Sequence, residues 1–421
     1  MLKILGIIVL AFVVAVVVTA GAGYWAGKTN KSVQQANLQP FYTPPNPVPP
    51  GPLGSLVKSE PITGLQLKHA NAFRVMYRTE DPDHTPRVSS GMIFVPTAPA
   101  PAGGRPVVAW AHGTVGQGLG CAPSRQPNPL NDMSWWLQAM LDKGWVVTAT
   151  DYAGLGTPGQ TLYLVGKAES NDVVNSVRMA RDFPGTNAGN RFVVWGHSQG
   201  GHSSLWTGHY AGAYAPELKL LGVAAAAPAA EISALLQEQW QSNIGWVIGS
   251  DVMASWPAYN PKVQPSQIAT QAGLDNYVGI SQACNADGAI DAQIQDVQGN
   301  DPFKMDPQLS PEWNAEAKAQ TVPPLPPSMP VYINQSVTDG IVTGTSNALL
   351  EEKWCKAGSK LNMVWLGPLV IAGSTADLQT HLLEAVVGGP GATGWISQRF
   401  DNKPAPNTCG QPIPIPATPA S

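Results

Sequence analysis

One run, from Arg191 to His202, constrains this chain more than any other. Four apolar residues, Phe192, Val193, Val194 and Trp195, read as a strand that passes straight into Gly-x-Ser-x-Gly, with glycines at 196 and 200 around Ser198. A serine can occupy a sharp strand-to-helix turn only where the residues two positions either side carry no side chain to clash, and Gly196 and Gly200 meet that condition. Such a turn lifts the Ser198 hydroxyl above the sheet. It also sets the N–H of Gln199 at a helix start, where an unpaired donor and the helix dipole favour a developing negative charge. Ser198 is therefore the candidate nucleophile. In a chain with 43 glycines the five-residue pattern alone is weak; the strand before it and the small residues after it give it weight.

The surrounding pattern predicts an α/β fold. Ala72 to Arg78 and Val88 to Val95 alternate with period two across the turn-rich Glu80 to Pro86, which predicts an antiparallel hairpin at a sheet edge. Short apolar runs then recur at 106–111, 144–150, 192–195 and 220–227, separated by helical stretches, and strands resume at 329–336 and 362–366. That alternation predicts a mostly parallel central sheet flanked by helices on both faces. Between Pro228 and Pro327 the strand pattern lapses into helix formers rich in Trp, Tyr and Met, which predicts an inserted helical cap. A last helix is expected over 391–400.

These features divide the chain into a leader or anchor (1–27), a Pro-rich linker (28–56), a first core part (57–227), the cap (228–327), a second core part (328–409) and a loose Pro-rich tail (410–421). The linker, proline-dense from Pro40 to Pro52, is expected to be extended. Residues 4–26 are uncharged and apolar, long enough for an export signal cleaved near Ala20-Gly21-Ala22 or for a membrane anchor. Both place the rest of the chain outside the cytoplasm. Cys121, Cys284, Cys355 and Cys409 suit two disulfides in an oxidising compartment, with three pairings open. No Cys-x-x-Cys is present, so neither a metal nor a redox cofactor is expected. Only 12% of residues are charged, the formal net charge is −4 and no basic run occurs, which argues against nucleic acid as a partner.

Where a nucleophilic serine sits on such an elbow, the acid and the histidine follow it in that chain order. Of seven histidines, only His202, His209 and His381 come after Ser198. The first two fall on the helix that starts at the elbow, too near in sequence to reach back over Ser198, which leaves His381 as general base. Asp339, in the turn after the 329–336 strand, is the candidate acid. Its rival, Asp377, follows no strand. The loop after the 106–111 strand, from His112 to Gly118, is glycine-rich, so its main chain can approach a substrate oxygen. The N–H groups of Thr114 and Gln199 are the candidate oxyanion donors. His112 is expected to brace that loop, and Asp151 to Gly156 to shape the pocket floor.

The motifs Phe41 to Pro45, His112-Gly-Thr114, Cys121-Ala-Pro-Ser124, Asp151-Tyr-x-Gly-Leu-Gly156, Gly196 to Gly201, Thr338-Asp339, and Arg399-Phe400 before Cys409 together resemble the secretory lipase family of α/β-hydrolases. The resemblance spans about residues 40–409. It implies the α/β-hydrolase fold with a helical cap, lipase or esterase activity, and a triad of Ser198, Asp339 and His381. It also implies disulfides Cys121–Cys284 and Cys355–Cys409. One departure is Leu378 to Leu383, where the family more often has glycines near the histidine.

The expected function is that of a serine carboxylic-ester hydrolase acting on lipid-like or other acyl esters, with Trp246, Met253 and Trp256 of the cap lining the acyl pocket. Most of the other cap aromatics are expected to pack as its core. Acyl transfer to an envelope lipid, by the same acyl-enzyme, and a non-catalytic surface protein on the same scaffold are the alternatives. The oligomeric state is not legible in the sequence.

Overall fold

The computed structural model describes residues 34–130, 133–369 and 376–419. The candidate leader or anchor over 1–27 lies outside them. Among the described residues no helix is long and apolar enough to cross a membrane. The chain divides into two compact units, Met1–Thr43 and Pro44–Ser421. Of the first, the described part is a short helix, α1, over 34–42. Helix formers from Gln35 to Gln39 carry the helix through Pro40, so the expected extended lead-in begins only after Tyr42. All that follows concerns the second unit.

Nine strands form one sheet in the order β1-β2-β3-β5-β4-β6-β7-β8-β9. The antiparallel edge consists of β1 (Leu56–Pro61), β2 (Ala70–Glu80) and β3 (Pro86–Pro96). The β2–β3 hairpin runs in continuous register from Ala70↔Pro96 to Glu80↔Pro86. At its turn the Asp83 carboxylate accepts from the Thr85 N–H at 3.0 Å, the local bond that favours aspartate in such turns. From β5 onward the pairs are parallel, through β4 (Arg105–Ala111), β5 (Val146–Thr150), β6 (Ala188–His197), β7 (Lys219–Ala226), β8 (Val331–Ser336) and β9 (Leu361–Leu366).

The strand period of two sorts each central strand into two cores. On one face Val107, Ala109, Phe192, Val194, Val223 and Ala225 pack with α3 (Gly166–Asp182) and α4 (Gln199–Tyr214) through Val173, Val177 and Leu205. On the other, Val108, Trp110, Val193, Trp195 and Ala224 pack with α2 (Leu137–Asp142) and α12 (Ala376–Phe400). Because both faces are covered, the central strands read as unbroken apolar runs rather than alternating ones.

Helix α12 begins 15 residues before the expected Gly391. Gly388, Gly389, Pro390 and Gly391 read as a helix boundary, yet they sit inside the helix as a contact surface. A Cβ on Gly388 would lie 2.3 Å from the Asn334 side chain, and one on Gly389 2.8 Å from Trp136. The small residues let the helix lie directly on β8 and α2, which carries its first turns back over the elbow.

Between β7 and β8 the chain builds α5 (Ile232–Gln239), α6 (Asn243–Tyr259), α7 (Pro265–Ile268), α8 (Gln271–Gln282), α9 (Asn285–Val297) and α10 (Pro311–Gln320). Trp256 and Trp313 pack with Val252, Ile268 and Phe303, whereas Trp246 joins Ile280 and Ala292 in a smaller cluster. Helix α11 (Gly344–Lys356) follows β8. The final segment is not loose through its described residues. Thr418 is buried, its N–H donates to the Thr345 carbonyl at 3.1 Å, and its hydroxyl reaches Glu238 of α5.

Candidate active site

The strand-to-helix turn at Ser198 is sharp because β6 and α4 are separated by that one residue, held at φ 58° and ψ −118°. A non-glycine residue at positive φ is strained by about 1–3 kcal/mol and persists only where its surroundings fix it. Here the Ser198 N–H donates to Ala226 at 2.9 Å on β7, and its carbonyl accepts from His202 at 3.1 Å. The flanking glycines are contacts as well as hinges. A Cβ at Gly196 would lie 2.1 Å from the Gly200 carbonyl, and one at Gly200 1.9 Å from that of Ala111.

The first turns of α12 bring His381 over the elbow. Its Nε2 lies 2.8 Å from Ser198 Oγ and its Nδ1 2.7 Å from Asp339 Oδ2. The carboxylate can only accept, so Nδ1 carries the proton and Nε2 is free to take one from the serine. Asp339 follows β8, and its Oδ1 accepts from the N–H groups of Ile341 (2.8 Å) and Val342 (3.2 Å). Burial pushes its carboxyl up, but the adjoining His381 and these donors hold it below the usual carboxylate range. The three side chains named from the sequence are thus brought together. The side chain of the rival Asp377 lies outside the described residues.

The loop after β4 is strapped to the α8–α9 junction. Cys121 is bonded to Cys284, the Gln117 N–H donates to Ser281 at 2.6 Å, the Asn285 N–H to Val115 at 3.2 Å, and the Asn285 amide to the Thr114 carbonyl. A Cβ at Gly116 would lie 2.0 Å from the Ala283 carbonyl, so the glycines expected to admit a substrate also admit the cap backbone. Cys355 is bonded to Cys409, so both disulfides are those the family resemblance implies. Thr114 contacts Tyr163 through paired hydroxyls 2.7 Å apart. Gln199 is anchored by its side chain, which donates to Glu169 Oε1 at 2.8 Å. His112 lies with Nδ1 2.6 Å from the Gly113 carbonyl, a loop brace.

Thr114 and Ser198 open onto a cavity of roughly 650 Å³, including its mouth, walled by Leu164, Ile232, Leu235, Leu236, Trp240, Ile248, Val252, Trp256, Phe303 and Ile341. Helix α6 contributes Ile244, Ile248, Val252 and Trp256, a stripe at i, i+4 spacing with Gly245 and Gly249 beside it. Trp256 accordingly lines the cavity. Trp246 and Met253 do not: at 100° per residue they leave that stripe, Trp246 toward α8 and α9 and Met253 into the packed cap core. Asp151 to Gly156 do not form its floor either. Asp151 is buried and accepts from the Ser124 N–H (3.0 Å) and the Ser90 hydroxyl (2.7 Å), tying the Cys121 loop to the sheet.

Several residues at the site went unnoticed in the sequence. His197 lies against His381, and Glu384 and Gln335 stand behind Asp339. His202, set aside as a base, forms a buried pair with Glu169 at 2.8 Å. The signal for Glu384 was its i+3 spacing from His381, readable only once helix α12 is known to start before Gly391. Among the described residues no group of three or more His, Cys, Asp or Glu could hold a metal ion.

Comparison with known proteins agrees with this architecture. Residues 131–408 match the secretory lipase family. The chain belongs to that family. Lipase 5 of Candida albicans is 26% identical over 403 residues, covering 88% of this chain and 82% of the relative. Among solved structures, Candida antarctica lipase A in its closed state superposes with a TM-score of 0.69 at 18% identity, covering 90% of this chain and 89% of that one. The rice cell wall degrading esterase LipA from Xanthomonas oryzae gives 0.66 at 18% identity, covering 84% of this chain and 100% of that one. The fold of this secretory lipase family member is therefore the α/β-hydrolase fold, and family membership makes it a carboxylic-ester hydrolase.

Proposed function

We propose that the protein is a lipase or esterase that cleaves esters of apolar acyl groups through an acyl-enzyme on Ser198, working outside the cytoplasm. The observation that carries this reading is that the Ser198–His381–Asp339 chain of hydrogen bonds ends on a serine in the wall of a largely apolar, uncharged cavity. His381 Nε2 takes the Ser198 proton as Oγ attacks the ester carbonyl, and Asp339 stabilises the imidazolium. The Thr114 and Gln199 N–H groups receive the tetrahedral oxyanion. His381 then protonates the leaving alcohol, the acyl group remains on Oγ, and water repeats the sequence to release the acid. The apolar wall supplies binding for an acyl chain and nothing to neutralise a charged one.

The test is hydrolysis of p-nitrophenyl esters from short to long acyl chains by the purified protein, beside Ser198→Ala and with an active-site phosphonate. The variant is expected to lose more than about 10³-fold in kcat, and the phosphonate to label Ser198 alone. A variant that retains activity overturns the assignment. Added alcohol in the same assay measures acyl transfer against hydrolysis.

A further inference from the structure

The polar cluster behind Asp339 contains a carboxyl group that the mechanism above leaves unused. Glu384 lies three residues after His381 on α12, on the same helix face, and is fully buried. Its Oε1 is 3.4 Å from the Gln335 amide nitrogen, which also stands 3.5 Å from Asp339 Oδ2 and donates to the carbonyls of Val342 (3.0 Å) and Ser336 (3.1 Å). Its Oε2 is enclosed and accepts no hydrogen bond. Gln335 is itself fixed by the Asn347 amide of α11, 2.5 Å from its Oε1. The titratable groups facing the pair are His381 on α12 and His197 at the end of β6; the β8 and α11 neighbours Gln335 and Asn347 are uncharged.

Two carboxyl groups side by side in a buried site cannot both be ionised. Donors decide which one is. Asp339 receives His381 Nδ1–H and two main-chain N–H groups, whereas Glu384 has the long Gln335 contact, the main chain of Ser336 beside it, and one oxygen that accepts nothing. The negative charge therefore belongs to Asp339 and the proton to Glu384, the two carboxyls standing on either side of the Gln335 amide. We propose that Glu384 is a positioning residue, a neutral carboxylic acid that donates its O–H to Asp339 and so restrains the pull of that carboxylate on His381. Burial, and then the adjoining Asp339, push Glu384 well above the usual range, in line with this assignment. By sharing the Asp339 charge, the O–H weakens the hold of that carboxylate on the His381 Nδ1–H.

The proposal rests on the triad reading and is tested by kcat/KM against pH for wild type, Glu384→Gln and Glu384→Leu, together with infrared spectra. Glutamine keeps a donor without a charge, so its acid limb should match wild type. Leucine removes the donor and leaves the whole Asp339 charge on His381, so its acid limb should move up by about one pH unit. Beside the contribution of other buried carboxyls such as Asp172, the carbonyl band of un-ionised carboxylic acid at neutral pH should be weaker in Glu384→Gln than in wild type. A glutamine variant whose acid limb drops would show Glu384 to be charged and overturn the proposal, as would a band of equal intensity in wild type and Glu384→Gln. Acid limbs unmoved in both variants would reduce Glu384 to packing. The spectrum needs no turnover, so failure here is distinct from failure of Ser198→Ala to abolish activity.

Discussion

His197 donates its Nε2–H to the main-chain carbonyl of His381 across 2.9 Å, and the two imidazole rings lie 4.7 Å apart at 38°. The residue just before Ser198 thus grips the backbone of the residue proposed as its base. A carbonyl only accepts, so the His197 tautomer is fixed. Burial and then the facing His381 push its pKa down to about 3, so it is neutral wherever the enzyme works. His197→Phe keeps a ring and removes the donor. Steady-state kinetics should show kcat down about tenfold, near 1.4 kcal/mol, with KM unchanged. A rise in KM alone would instead place His197 in substrate binding.

Stability should also respond to pH through Asp172. Burial raises its carboxyl to about 7, with the Ala153 N–H donating to it at 2.7 Å. The unfolded chain ionises this group near pH 4, so the native state loses stability as pH rises from there to about 7. Asp172→Asn keeps an acceptor and cannot ionise. Thermal melts should show it more stable than wild type at pH 8, by on the order of 2 kcal/mol, with no such gain at pH 4. A gain independent of pH would mean that Asp172 is ionised in the native state.

The two disulfides should separate in their effects. Cys355–Cys409 closes a 54-residue span far from the serine in the chain, so replacing both with serine should cost about 2–5 kcal/mol of stability and leave kcat unchanged. The same replacement at Cys121 and Cys284 loosens the loop that carries Thr114 and should lower kcat at least about tenfold. Melting temperature and kcat measured on both variants make the comparison.

Cavity-lining residues should set acyl-chain preference. Ile248 faces the cavity, so Ile248→Trp should shift the optimum of the ester series to shorter chains. Trp246, two residues away on α6, faces the other side. Trp246→Leu should leave the optimum where it is while costing about 2–4 kcal/mol in denaturant unfolding. A shift of the optimum in the second variant would reassign the acyl wall.

What the sequence disclosed and what it hid follow from the range of the forces involved. The central strands were legible because burial on both faces makes runs such as Phe192 to Trp195 continuously apolar, and Ser198 because a strained turn demands glycines at fixed spacing. Asp339 and His381 could be named from chain order, without a view of what surrounds them. The start of α12 was hidden because Gly388 and Gly389 break a helix by intrinsic propensity, and only their contacts with Asn334 and Trp136 override it. Trp246 and Trp256 look alike in composition; ten residues apart on α6, they are separated by helical phase, which is fixed only when the neighbouring helices are in place. His197 and Glu384 meet partners 184 and 49 positions away in the chain, at His381 and Gln335.

The strap between Cys121 and Cys284 has a cellular consequence. A thiol pair stays reduced in the cytoplasm and is oxidised beyond it. With the sulfurs unjoined, the loop bearing Thr114 keeps its hydrogen bonds to the α8–α9 junction and loses its covalent tie. A newly made chain would then hold Ser198, His381 and Asp339 together while the loop proposed to receive the oxyanion is not yet tied down. On the proposed function, an oxidant met outside the cytoplasm would supply the covalent tie that this loop lacks until then.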